Sequence, residues 1–183
     1  MRDFVLLSRT SSDRIELNNL SFGRWDVIAR CINSAIWVAH GLRQATIRVV
    51  LGASNPPKTV VFDSNIRKVN PDEKNIAGWI EKVLKAESEN PGISVIEGSF
   101  QSVIKSMSDR KFYILHEKGK DISDVEFAEN PVFVLGDHIG LPPRDEEFVQ
   151  RFGHELVSIG PNSYLASQCI SFINIELDRR GIE

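Results

Sequence analysis

Cysteine is scarce in this chain: Cys31 and Cys169 are the only two among 183 residues. A disulfide framework needs several bridges and a structural metal site needs clustered thiolates or imidazoles; two distant cysteines in helix-patterned segments supply neither. His40, His116 and His154 show no ligand spacing with one another or with either cysteine, so no metal is expected. Long apolar runs are missing as well. Nothing approaches the roughly 20 residues of a membrane span, and MRDFVLLSRTSSD lacks the apolar core and small-residue cleavage site of a secretory signal. The expectation is a soluble, cytoplasmic protein with no membrane partner. Neither G-x-G-x-x-G nor G-x-x-x-x-G-K-[ST] occurs, which argues against a dinucleotide-binding Rossmann domain and a P-loop nucleotidase.

Positive charge is also in short supply, the formal net charge being −3. Its distribution qualifies that. Residues 1–50 hold seven arginines against four acids, whereas residues 121–160 hold nine acids against Arg144 and Arg151. Any polyanion should therefore be sought by the first quarter of the chain.

What is present is alternation. A length of 183 residues suits one domain, residues 1–183. DFVLLS reads as a strand, followed by the polar loop RTSSDRIELNNLSFG and a helix from about Asp26 to His40, stopped by Gly41. Ile28, Ile32, Ala35 and Ala39 form its apolar stripe; Asp26, Arg30, Asn33 and Trp37 recur on another face. TIRVVLG, TVVF and IRKV read as strands. NPDEKNIAGWIEKVLKAE opens with Asn70 as N-cap, Pro71 in the first helical position and Glu73 three residues after the cap. A short helix from about Ser99 to Met107 and the strand KFYILHE follow. PVFVLGDHIG is a strand entering a glycine-punctuated loop, Arg144 to Phe152 is a helix, and ELVSIGPNSYLASQCISFINIELDRR repeats strand, loop and long helix. Such alternation implies an α/β fold with a mostly parallel sheet and helices on both faces.

In an open parallel sheet, ligands bind beyond the carboxyl ends of the strands, where glycine lets backbone approach and amides point outward. Leu135-Gly136-Asp137-His138-Ile139-Gly140 and Ile159-Gly160-Pro161-Asn162-Ser163 both occupy such ends, and two loops of this kind can enclose one ligand. A strand followed by a glycine turn is common, so the pattern alone stays open. For His138 a loop-ordering hydrogen bond is favoured over general-base work, since no motif places a carboxylate or serine beside it.

FVLGDHIGL and LVSIGPNSYLASQCI resemble the paired cofactor loops of the archaeal tRNA pseudouridine N1-methyltransferase family (TrmY) of the SPOUT superfamily. GRWDVIARCINSAIWVAHGLR, VVLGASNPPKTVVF and NPDEKNIAGWI agree in order and spacing, so the resemblance covers nearly the whole chain. The polar loop RTSSDRIELNNLSFG is shorter than in archaeal members, and Tyr164 and Ser167 are less typical, which resembles the bacterial branch. The resemblance implies a C-terminal trefoil knot, bound S-adenosylmethionine, a homodimer, and RNA, tRNA in particular, as partner. Carried over by position, Leu135, Gly136, Ile159, Gly160, Leu165 and Cys169 would surround the cofactor. For an isolated aliphatic residue, core packing is the commoner role. Cys169 is assigned contact, not nucleophilicity.

Methyl transfer to a ring nitrogen depends mainly on placement, together with a group that accepts or orients the departing proton. Asp26 is the candidate for that role and Arg24 for holding phosphate or the base carbonyls, with Arg24, Arg30 and Arg43 as the RNA-facing residues. Asp26 could instead serve the helix start and pair with Arg30 at i,i+4. Two other classes remain open: a scaffold or regulatory dimer that keeps the cofactor without catalysis, and a methyltransferase for another substrate. The last helix has two apolar stripes, Leu165, Cys169 and Phe172 on one, Ile170, Ile173 and Leu177 on the other, more than one burial surface requires.

Overall fold

The structure is a computed structural model that describes residues 1–182. Its centre is β1 (Arg2–Ser8), buried along its whole length. β1 lies parallel to both β4 (Ala45–Leu51) and β8 (Val132–Gly136). Beyond β8 come β7 (Phe112–Asp121) and β9 (His154–Ser158), again parallel. On the other side β5 (Lys58–Asp63) and β6 (Ile93–Glu97) add antiparallel strands. The seven strands run β6-β5-β4-β1-β8-β7-β9. The sheet is thus mostly parallel with an antiparallel edge.

Successive side chains of a strand point to opposite faces, and β1 shows the consequence. Phe4 and Leu6 join a core with α1 (Trp25–Ile36), α2 (Glu73–Leu84) and α5 (Ala166–Arg179). Val5 and Leu7 join a second core with α3 (Phe100–Lys105) and α4 (Pro143–Val149). Helices therefore cover both faces, and a strand buried on both sides must be apolar throughout, as DFVLLS is.

Several boundaries differ from the sequence reading. α1 ends at Ile36; Trp37–Val38 (β2) and Gly41–Leu42 (β3) form a small antiparallel hairpin, leaving Ala39 exposed in its turn. The helix stops early because its last carbonyls are claimed from outside: the buried Asn174 amide donates to Ser34 O at 2.8 Å and Ala35 O at 3.3 Å. The cap of α2 is Asp72, whose carboxylate accepts from Asn75 N at 2.8 Å, and not Asn70, whose own N–H donates to the Asn75 side chain. Residues 66–69 form no strand. The expected helix over 144–152 spans Pro143–Val149.

The two ends of the chain are tied together. Arg2 donates to the Asn174 side chain at 3.0 Å and to Asp178 at 2.8 Å, anchoring α5 to the start of β1. Among the described residues no helix is long and apolar enough to cross a membrane.

Candidate functional site

The carboxyl ends of β8 and β9 and the middle of β7 open on a cleft of about 660 Å³, within the ~300–1,000 Å³ of small-molecule sites. Its walls include Leu135 and Gly136 from the end of β8, Ile159 and Gly160 beyond β9, and Leu165 and Cys169 at the start of α5. Sequence positions 135–169 are thus brought together as the paired-loop pattern anticipated. Leu165 is 60% exposed although it is aliphatic, so it is not spent on core packing.

The first loop is held by Asp137. Its buried carboxylate accepts from Ile139 N at 2.9 Å, Arg9 N at 2.9 Å and Ser8 Oγ at 3.2 Å, pinning the loop after β8 to the end of β1. This corrects the part expected of His138: its Nδ1 lies 3.8 Å from Asp137 Oδ1, too far for a hydrogen bond, and Asp137 orders the loop instead. Gly136 is required by the same closure. A Cβ there would lie 2.1 Å from the Gly140 carbonyl carbon and 2.3 Å from Leu141 N, backbone against backbone. In the second loop Gly160 has φ +150°, and a Cβ would meet the Tyr164 hydroxyl at 2.8 Å.

Burial pushes the Cys169 thiol up to about 11. It is therefore a neutral, weakly polar wall atom, in keeping with contact and not nucleophilic chemistry.

Arg24, just before α1, and Arg30, within it, reach the cleft. Gly23 and Arg24 both have left-handed backbone, φ +63° and +57°, and this turn immediately before α1 places the Arg24 side chain on the cleft wall. For arginine the conformation carries a cost, the kind of strain that persists where surroundings enforce it. Asp26 does not line the cleft; it holds the two arginines that do. Arg24 Nε donates to Oδ1 at 3.1 Å, and Arg30 donates to Oδ2 at 2.7 Å. Burial raises the Asp26 carboxyl, but the hydrogen bonds from Arg24 and Arg30 outweigh it and hold it below the ordinary carboxylate range.

Arg43 lies elsewhere. It is spent on Asp178, at 2.9 Å and 3.2 Å, and on Trp37 O at 2.8 Å. The twelve residues of α1 separate it from Arg24, about 18 Å of helix. The expected trio is therefore a pair at the cleft and a structural arginine at the far end. His116 and Glu117, where β7 breaks its pairing with β9 between Leu115 and Lys120, also line the cleft, as do Glu146 and Tyr164. Sequence reasoning missed these wall residues. Nothing in the strand pattern of KFYILHE marks them, whereas an Asp after a strand-end glycine, as in Gly136-Asp137, is a turn signal that was available.

Comparison with known proteins decides the family. A family model described as "Putative SAM-dependent RNA methyltransferase" matches residues 1–182. The chain belongs to this family. Curated relatives named tRNA (pseudouridine(54)-N(1))-methyltransferase include those of Thermococcus kodakarensis, 39% identical over 97% of this chain and 99% of the relative, and Pyrococcus abyssi, 44% identical over 87% of each. The Methanocaldococcus jannaschii relative is 36% identical over 100% of this chain and 98% of its own. Among solved structures, Archaeoglobus fulgidus Nep1 bound to S-adenosylhomocysteine superposes with a TM-score of 0.67 at 14% identity, covering 98% of each chain. At that identity the likeness speaks to the fold alone, a mostly parallel α/β architecture shared along nearly the whole of both chains.

Proposed function

We propose that the protein methylates N1 of pseudouridine in tRNA, using S-adenosylmethionine held between the 135–141 and 158–169 segments. The observation that carries this reading is the meeting of two features in one cleft: a pocket at the strand ends that includes the aliphatic side chains of Leu135, Ile159 and Leu165, and a paired-arginine wall from the start of α1 and the turn before it.

The residues present suit an adenosine-type ligand. An adenine ring is an apolar plate with polar edges, so aliphatic side chains such as Leu135, Ile159 and Leu165 cover its faces while loop backbone reads its edges. A neutral thiol at Cys169 fits the same apolar wall. When bound, S-adenosylmethionine supplies an electrophilic methyl group on a sulfonium. Arg24 and Arg30 present guanidinium donors suited to phosphate or to the carbonyls flanking N1–H. Asp26 fixes the direction of the Arg24 guanidinium and, together with Glu73 at 3.2 Å, that of Arg30. The fold likeness to Nep1 and the SPOUT resemblance also support a trefoil knot in the segment from β8 through α5.

The test is single-turnover transfer of labelled methyl to tRNA carrying pseudouridine or uridine at one position. Transfer to the pseudouridine form alone is expected. Transfer to uridine alone would overturn the base assignment, and cofactor binding without transfer to any RNA would favour the scaffold reading.

The reading includes a homodimer. α5 buries Ile170, Ile173 and Leu177 fully, yet leaves Phe172 44% and Ile175 55% exposed. An apolar face of this kind on the outside of a helix fits a second copy of the chain. Sedimentation at micromolar concentration should show a dimer, and Phe172→Glu should shift it to monomer; a monomeric parent protein would refute the assignment.

A further inference from the structure

The loop RTSSDRIELNNLSFG carries a feature that cofactor binding and methyl placement leave unused. Phe22 remains 43% exposed, and the Arg14 guanidinium lies over its ring, 5.3 Å from the centroid. We propose that Phe22 and Arg14 form a stacking site for an unpaired nucleobase of the RNA, beside the nucleotide presented to the cleft. The proposal rests on the RNA reading above.

The pair is held in place on both sides. Phe22 opens the short turn Phe22–Arg24 and its N–H donates to Asn19 O at 3.0 Å. The next residue's carbonyl, Gly23 O, accepts from Ser11 Oγ. The buried Trp25 donates its indole N–H to Arg14 O at 3.2 Å, and Glu16 holds the Arg14 guanidinium at 2.7 Å while that side chain stays 72% exposed. Two residues after Phe22 comes Arg24, on the cleft wall. The backbone that carries the aromatic ring and the guanidinium is thus held in place, two residues from a wall of the cleft.

Charge selects the occupant. The local carboxylates are already engaged: Asp13 by Lys58 at 2.7 Å, Glu16 by Arg14 at 2.7 Å, Asp26 by Arg24 at 3.1 Å and Arg30 at 2.7 Å. What the segment offers outward is an exposed aromatic ring with the guanidinium of the ion-paired Arg14 over it, the combination that binds unstacked bases of single-stranded RNA. An acidic peptide would need the cations but not the ring.

The experiment measures affinity for a pseudouridine-containing RNA stem-loop as a function of salt, with cofactor affinity measured in parallel. Phe22→Ala should weaken RNA binding about tenfold or more with an unchanged salt slope, since stacking releases no counterions. Phe22→Trp should retain affinity, and its added fluorescence should be quenched by the RNA. Arg14→Ala should also weaken binding with little change in the salt slope, since the guanidinium belongs to the stack and is already paired with Glu16 at 2.7 Å. Cofactor affinity should stay at the parent value in all three. Parent-like RNA affinity in Phe22→Ala, with the parent active on RNA, would overturn the stacking site and leave the methyltransferase reading standing. Loss of the dimer in Phe22→Ala would assign the ring to a contact between copies and equally overturn it. A parent protein that neither binds nor methylates RNA would remove both readings at once.

Discussion

Gly136→Ala should weaken cofactor binding by about two orders of magnitude or more while the protein stays folded. The reason is local. At this position a methyl group would stand 2.1 Å from the Gly140 carbonyl carbon, 2.3 Å from Leu141 N and 2.5 Å from Gly140 O, all main-chain atoms. A flexible side chain could yield; a loop backbone pinned by three hydrogen bonds to Asp137 or its neighbours cannot yield without opening. The 136–141 loop must swing away from β8, and with it one wall of the cleft. Calorimetric titration with S-adenosylhomocysteine should show affinity reduced roughly 100-fold or more, the scale of overpacking against a rigid neighbour. Gly160→Ala is the informative companion. Its added methyl meets the Tyr164 hydroxyl at 2.8 Å, the far end of a side chain that is itself partly exposed, so the neighbour can give and the loss should be smaller despite the unfavourable φ of +150°. Circular dichroism should show native helix content in both. Parent-like affinity in Gly136→Ala would show that the loop does not form the site.

The layout of that loop was only half legible in the amino-acid sequence. Glycine at the end of an apolar strand marked it as a place of close approach, but the sequence suggested a ligand approaching Gly136, whereas the closest atoms are the loop's own. Asp137 and His138 show the same limit. Both are polar residues after a strand, and either could order a turn; the choice is made by Ser8 at the end of β1 and Arg9 just past it, about 130 positions earlier, which meet Asp137 only because β1 and β8 pair in parallel. Long-range pairing is what a linear pattern leaves out.

The fold itself was more legible where burial is two-sided. The continuous apolar runs DFVLLS, TIRVVLG and PVFVLG became β1, β4 and β8, adjacent in the sheet and covered on both faces. The antiparallel edge was not visible, because TVVF gives the same apolar signal whichever way its neighbour runs. Helix ends were lost for a related reason. A heptad-like stripe continues through Ala39, yet α1 stops at Ile36, where Asn174 from α5 takes its last carbonyls. The same helix explains why Arg24 and Arg30 were grouped with Arg43: charge counting treats the first fifty residues as one patch, and α1 puts its two ends far apart. Family resemblance singled out residues that the structure brings to one cleft, a grouping that residue patterns alone left open, since each of Leu135, Ile159 and Leu165 is by itself an ordinary aliphatic.

Asp26→Asn should slow methyl transfer about 100-fold with RNA and cofactor affinities little changed, and the loss should be independent of pH. Asp26 was singled out in the sequence as the residue to orient or deprotonate the base, and its surroundings now weigh on that choice. Both carboxylate oxygens are engaged by Arg24 and Arg30, and the pair holds the carboxyl below the ordinary range, so it is a weak proton acceptor. Its geometry is that of a positioning residue: Arg24, in strained left-handed backbone, and Arg30, from the next turn of α1, are both aimed through it. Asparagine keeps the shape but loses the charge that binds two guanidiniums; Arg24 should lose its fixed direction, and Arg30 should turn toward Glu73, its remaining carboxylate partner at 3.2 Å. The two roles separate by pH. A proton acceptor becomes dispensable as the substrate's own N1–H ionises, so a variant lacking one recovers toward the parent rate at high pH; a variant lacking a positioning group does not. Single-turnover rates for parent and Asp26→Asn across pH 6 to about 9.5 should therefore run parallel on a logarithmic plot. Curves that converge at the alkaline end would make Asp26 the proton acceptor after all, and curves that coincide throughout would reduce it to a partner of Arg30 on the surface of α1.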